Sequence, residues 1–254
     1  MSSSRPRRGL AAAVCAVAVL TAGCASSSPP VSDPSGVDEL VIPTPSPDPG
    51  DFAARITNPW LPLYPGAVWE YDVSGPVPGT RTVTVVDGTT DVAGVDVTGV
   101  RQVTASLDGT TVAESVDYFA QDRQGNVWAF GRDQVVPDTG GSWRAGVDGA
   151  EAGLEMPAQP RVGDGFRQEL APGLAEDIAS VESLDATRST PAGEFDGLVQ
   201  LAVTTVSSSV GAGTTSSASP GTSTGGGVDR FYAHGVGLVQ EYTPQASVSL
   251  SSSP

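Results

Sequence analysis

The chain reads as an all-β domain built of antiparallel hairpins, and three observations carry that reading. Val- and Thr-rich runs with alternating apolar and polar residues recur at short intervals, as in "TRTVTVVDG" and "GVDVTGVRQVTASLDG". Asp-Gly, which supplies the positive φ angles of tight turns, occurs at 87–88, 108–109, 148–149, 164–165 and 196–197. No stretch sustains a helical period over three turns. The best exception is "AEDIASVESL", where Ile178, Val181 and Leu184 would share a helical face. It predicts one minor helix, with an edge strand as the alternative.

The elements follow in order. "MSSSRPRRGL" places Arg5, Arg7 and Arg8 ahead of the apolar run "LAAAVCAVAVL". A charged segment before an apolar stretch too short for a permanent anchor predicts a signal peptide over residues 1–23. It ends in "LTAGC", which resembles the lipobox of bacterial lipoproteins, with Thr21 where leucine is commoner. The resemblance implies a lipid on Cys24 and an anchored mature chain; plain secretory cleavage is the alternative. Cys15 leaves with the leader, so no cysteine pair remains and stability must come from a core.

Residues 24–51 are rich in Ser, Pro and Asp and predict a disordered tether, with a β domain following over 52–245. Pro59, Pro62 and Pro65 hold the next segment extended. With Trp60, Tyr64, Trp69 and Tyr71 it reads as a strap laid over the end of the domain, or as an aromatic ligand shelf. From Ala67 onward, Trp69, Tyr71 and Val73 alternate against Val68, Glu70 and Asp72, a strand pattern.

"DYFAQDRQGNVWAFG", residues 117–131, resembles a calcium loop at first sight. Counted from Asp122, position six is Val127 and position twelve is Asp133, so the EF-hand pattern fails. As a hairpin everything fits, with a turn over 122–126 and with Trp128 and Phe130 on one face of the return strand. Residues 140–166, Gly- and Pro-rich, predict a long central loop carrying Trp143 and Arg144. Further on, Pro191 and Gly193 set a turn, and 207–227 is a flexible Ser/Gly insert between two strands. The tail, 246–254, is polar and predicted disordered.

Composition bounds the function. The formal charge is −16, there is no lysine, and losing the leader takes the charge to −19. Such a surface repels phosphate backbones and excludes nucleic-acid binding. His234 is the only histidine, and the mature chain has one cysteine, so neither a serine triad nor a zinc site is expected. No metal, cofactor or catalytic residue is predicted. Glu151, Glu155, Asp164, Glu169, Glu176 and Asp177 crowd the central region, and composition alone makes most of them solvated surface. The expected partners are the membrane through the anchor, and an apolar or glycan ligand contacted by Trp128, Trp143 and Arg144. An envelope protein is the other candidate partner, and the chain is expected to be monomeric. The competing readings are a carboxylate-based envelope hydrolase and a structural or assembly protein.

"TPAGEFDGLVQL" followed by "FYAHGVGLVQEY" resembles a broad family of uncharacterised bacterial envelope lipoproteins with a PAGxF…YAxGVGLV terminal hairpin. "NPWLPLYPGAVWEYD" and "AQDRQGNVWAFG" are similar to segments of the same group, so the resemblance spans about residues 52–243. It implies a single curved antiparallel sheet or half-open barrel, like lipoprotein carriers, and brings no activity with it. His234 stands where that family frequently has proline.

Overall fold

The computed structural model describes residues 48–53, 55–138, 141–204 and 227–254. The leader, Cys24, the tether to residue 47 and the Ser/Gly insert to residue 226 lie outside the described residues. The first strands are β1 (Phe52–Ala53), β2 (Val68–Ser74), β3 (Gly79–Val85), β4 (Thr90–Val92) and β5 (Val95–Ser106). They lead into the long hairpin β6 (Thr111–Asp122) and β7 (Val127–Val136). Three short strands, β8 (Trp143–Arg144), β9 (Gly153–Met156) and β10 (Gly165–Arg167), interrupt the expected central loop. The last five are β11 (Ile178–Thr190), β12 (Gly193–Thr204), β13 (Val228–Ala233), β14 (Gly237–Tyr242) and β15 (Ser247–Ser252).

All pairings are antiparallel, in the order β10-β11-β12-β13-β14-β15-β2-β3-β5-β6-β7-β8. The sheet is open, with β10 and β8 at its ends. It is also strongly curled. Arg230 on β13 bonds Gln168 at 3.2 Å and lies 4.0 Å from Glu155 on β9, although β13 and the β7–β9 end are far apart in the strand order. One contiguous core fills the curl, with Trp128, Phe130, Phe231, Leu198, Leu201 and Leu250 fully buried. Burial of each such side chain stabilises the fold by about 1.5–3 kcal/mol.

The hairpin reading of 117–131 holds. Asp122 and Asn126 bracket the turn, and the Asp122 carboxylate caps it by accepting from the Gln124 and Asn126 backbone N–H groups, each at 2.9 Å. The β2 alternation holds as well, with Trp69 and Tyr71 buried and Val68, Glu70 and Asp72 exposed. The strap is tied down by Asn58. Its Nδ2 donates to the Gly125 carbonyl at 2.9 Å, and its Oδ1 accepts from the Trp60 N–H at 2.9 Å.

Four expectations need correction. The stretch 178–184 is part of β11, not a helix: Ala179 and Val181 face the core at a spacing of two while Ile178 is exposed. Asp196-Gly197 lies inside β12, while the turn between β11 and β12 falls at Pro191 and Ala192, where Pro191 and Gly193 predict it. Residues 48–51, placed in the tether, form a short turn capped by Asp48, and the Asp51 carbonyl accepts from the Arg123 N–H at 3.0 Å. The tail is not disordered. Residues 247–252 form β15, which joins β14 to β2 and buries Val248 and Leu250.

Candidate functional site

The curl encloses a cavity of about 320 Å³ on its inner face. Period-two alternation selects what faces it: Val100, Gln102 and Thr104 from β5, and Ser115, Asp117 and Phe119 from β6. Leu61 and Leu63 of the strap close one side, with Trp69 and Leu238. The polar groups of the aromatic wall are partly used up. Trp69 Nε1 donates to the Val236 carbonyl at 2.8 Å, and the Tyr71 hydroxyl donates to the Leu238 carbonyl at 3.0 Å.

The opposite wall carries charge, and strand register sets most of it. Asp117 on β6 is the direct partner of Arg132 on β7, and Arg230 on β13 is the direct partner of Glu241 on β14. Opposite charges across a ladder meet without further arrangement. Arg132 pairs with Asp117 and reaches Glu169 at 3.3 Å. Arg230 and Arg81 share Glu241, at 3.3 and 3.4 Å. Gln168 links the two sets, donating to the Glu155 carbonyl at 3.0 Å while accepting from Arg230. Segment 168–169 lies this close to β9 because residue 153 is glycine; a Cβ there would run into the Gln168 carbonyl.

The electrostatic consequences follow from burial against pairing. Burial pushes the Glu155 carboxyl up to about 7; Arg230 relieves it only in part, and Glu169 and Asp117 add repulsion. Glu169 is raised for the same leading reason, with Arg132 opposing. Burial acts against the Glu241 carboxylate too, but Arg230 and Arg81 outweigh it and hold its pKa below the ordinary value. Arg132 and Arg230 lose hydration, yet their acidic neighbours more than offset that and keep both firmly cationic. The Tyr232 hydroxyl is pushed up by burial and stays neutral.

Sequence reasoning anticipated only part of this site. Of the central carboxylates, Glu155, Glu169 and Asp177 line the cavity, so the expectation of a solvated surface is corrected for these three. Glu151 and Asp164 do not line it; Asp164 pairs with Arg161 at 3.5 Å. Arg81, Asp117, Arg132, Arg230 and Glu241 were missed, although each occupies an inward position of its strand, and that inward charge was the available signal. Trp128 does not reach the cavity: it is 1% exposed, and its Nε1 donates to Asp122 Oδ2 at 2.9 Å. Trp143 and Arg144 border a separate depression. Arg144 is committed there, stacked 4.2 Å from the Tyr118 ring centroid and bonded to Asp133 at 2.7 Å. His234 is exposed and meets the Trp60 ring edge-on at 5.3 Å.

No protein-family model and no curated protein sequence matches the chain. Among solved structures, a Bacteroides fragilis protein described as exported and of YmcC-like fold is similar over 77% of this chain and 98% of its own. Its TM-score is 0.43 at 14% identity. A Parabacteroides distasonis protein described as a lipoprotein is similar over the same shares, at TM-score 0.34 and 14% identity. At these scores the likeness carries no argument about activity.

Proposed function

We propose that the chain is an extracytoplasmic lipoprotein, anchored through Cys24, whose β domain holds a small ligand in the curl of its sheet without transforming it. The observation that carries the reading is the cavity itself. At about 320 Å³ it falls within the range of small-molecule sites, and it sets an apolar wall against a fixed charged one. The location rests on the charged and apolar leader and on "LTAGC". Binding without chemistry is favoured because most of the charged side chains are engaged with one another, which makes a preorganised receptor.

Native mass spectrometry of the full chain extracted from its own membrane tests the ligand. A small molecule that co-purifies and dissociates on unfolding supports the reading, and an empty protein that turns over cell-wall polymers overturns it. The anchor has a separate test: Cys24→Ala is expected to release the protein into the medium, and retention in the membrane refutes lipidation.

One observation favours a second reading, a carboxylate-based hydrolase. A carboxyl held protonated near neutral pH beside other carboxylates is suited to general acid work, and Glu155 has that character. Glycan turnover that disappears in Glu155→Gln would establish it in place of simple binding.

A further inference from the structure

Resting on that binding reading, we infer that the ligand presents a protonated nitrogen, as an amine or guanidinium, on an apolar body. It docks the nitrogen among Glu155, Asp177 and the Tyr232 hydroxyl.

The first argument is charge matching. Leaving aside Glu114, which pairs with Arg101 at 2.8 Å, the cavity wall holds five carboxylates: Asp117, Glu155, Glu169, Asp177 and Glu241. Against them stand the guanidiniums of Arg81, Arg132 and Arg230. Glu241 takes two of these and Arg132 takes two carboxylates, so the shortage falls on particular groups. Glu155 has only the 4.0 Å contact to Arg230. The Asp177 carboxylate makes no ion pair or hydrogen bond among the described residues. Arg230 is the guanidinium that acts on both, and it is already bonded to Glu241, so the wall is short of positive charge where these two side chains meet the cavity. Burial is the main cause of the upward shift of Glu155, and Arg230 offsets it only in part.

The second argument is independent of charge. Tyr232 is 3% exposed and lines the cavity, yet its hydroxyl has no hydrogen-bond partner among the described residues. The only sealed side-chain polar atom without a partner there is Trp143 Nε1, so the Tyr232 hydroxyl opens onto the cavity. A phenolic hydroxyl that opens onto the cavity can accept a hydrogen bond from a guest's polar hydrogen. Tyr71, which also faces the cavity, has its hydroxyl bonded to backbone, so the two tyrosines are not equivalent.

The remaining features choose the kind of cation. Among the described residues no three Asp, Glu, His or Cys side chains converge to hold a metal ion. Leu61, Leu63, Trp69 and Phe119 supply an apolar wall that a bare ion leaves uncovered. An organic cation with a hydrocarbon body satisfies both walls.

Three probes of one shape separate the possibilities: cyclohexylmethylamine, cyclohexylmethanol and cyclohexanecarboxylate, titrated into the full chain at pH 8 and followed by calorimetry and NMR. The amine is expected to bind at least about tenfold more tightly than either of the others. Tyr232→Phe, which keeps the ring and its packing, is expected to weaken the amine severalfold while leaving the alcohol less affected. Equal or tighter binding of the alcohol or the carboxylate overturns the inference and leaves the binding cavity standing. Failure of all three at about millimolar concentration overturns both. Unchanged amine affinity in Tyr232→Phe, with melting temperature preserved, removes the hydroxyl from the site and overturns the docking arrangement.

Discussion

At the β6–β7 tip the Asp122 carboxylate accepts four hydrogen bonds, whereas the Glu155 carboxylate in the cavity accepts none among the described residues. Both are acids drawn out of bulk water on an all-β frame. The tip surrounds its acid with the Gln124 and Asn126 backbone N–H groups, the Asn126 amide and the Trp128 indole, all within 2.9 Å. The cavity leaves its acid facing open volume. A buried polar group that is fully met holds a fold together; one left short of partners is destabilising unless something else arrives. That difference separates a structural acid from a receptive one here, although the two are alike in composition.

The largest expected effect comes from breaking the tip. Asp122→Ala strands the Asn126 amide and the Trp128 indole N–H inside the protein, and is expected to cost about 3 kcal/mol or more in urea unfolding. Asp122→Asn keeps part of the acceptor set and is expected to cost less. A loss below about 1 kcal/mol for the alanine variant would end the structural reading of the tip.

An opposite sign is expected in the cavity. The folded-state pKa of Glu155, about 7, exceeds the ordinary glutamate value of about 4.3. The folded chain therefore holds this proton more tightly than the unfolded chain. Its stabilising contribution is complete below the unfolded value and disappears as pH rises through 7. Glu169 acts in the same direction, while Glu241, with its lowered value, loses stability toward acid. Comparing wild type with Glu155→Gln isolates the first of these. The variant is expected to melt higher than wild type at pH 8, with the advantage shrinking or reversing at pH 5. A variant that melts lower at pH 8 would mean that the 4.0 Å contact with Arg230 outweighs burial.

The tip was legible in the sequence and the cavity was not, for a physical reason. A hairpin is local: alternation on both sides of Asp122-Arg123-Gln124-Gly125-Asn126 fixes strands and turn within fifteen residues of chain. The strap was legible in the same way, through its prolines. The cavity instead gathers Arg81, Asp117, Arg132, Glu155, Arg230 and Glu241 from six strands, and only the curl brings both ends of the sheet to one place. β15 failed to register for a related cause. "SVSLSS" carries just two inward apolar side chains, and it is a strand because a slot between β14 and β2 accepts it. Tertiary pairing outweighs a weak local pattern there.

The smallest expected effect is at Trp143, and it gives the finest test because the same substitution can be made at Trp128, a second buried tryptophan whose N–H is met. Trp128 and Trp143 are 1% and 5% exposed. Trp128 donates to Asp122, while Trp143, packed on Ala150 and Ala171, has no partner for Nε1 among the described residues. Tryptophan to phenylalanine shrinks the side chain at both sites and leaves room that neighbours fill incompletely. At Trp128 it also removes a charge-assisted bond, so about 2–4 kcal/mol is expected from the two losses together. At Trp143 it removes an unbonded buried N–H, whose release offsets the lost packing, and the net change is expected to stay within about 1 kcal/mol. Equal losses at the two positions would show that volume alone sets the cost, and that hydrogen-bond satisfaction does not distinguish structural from receptive polar groups in this domain.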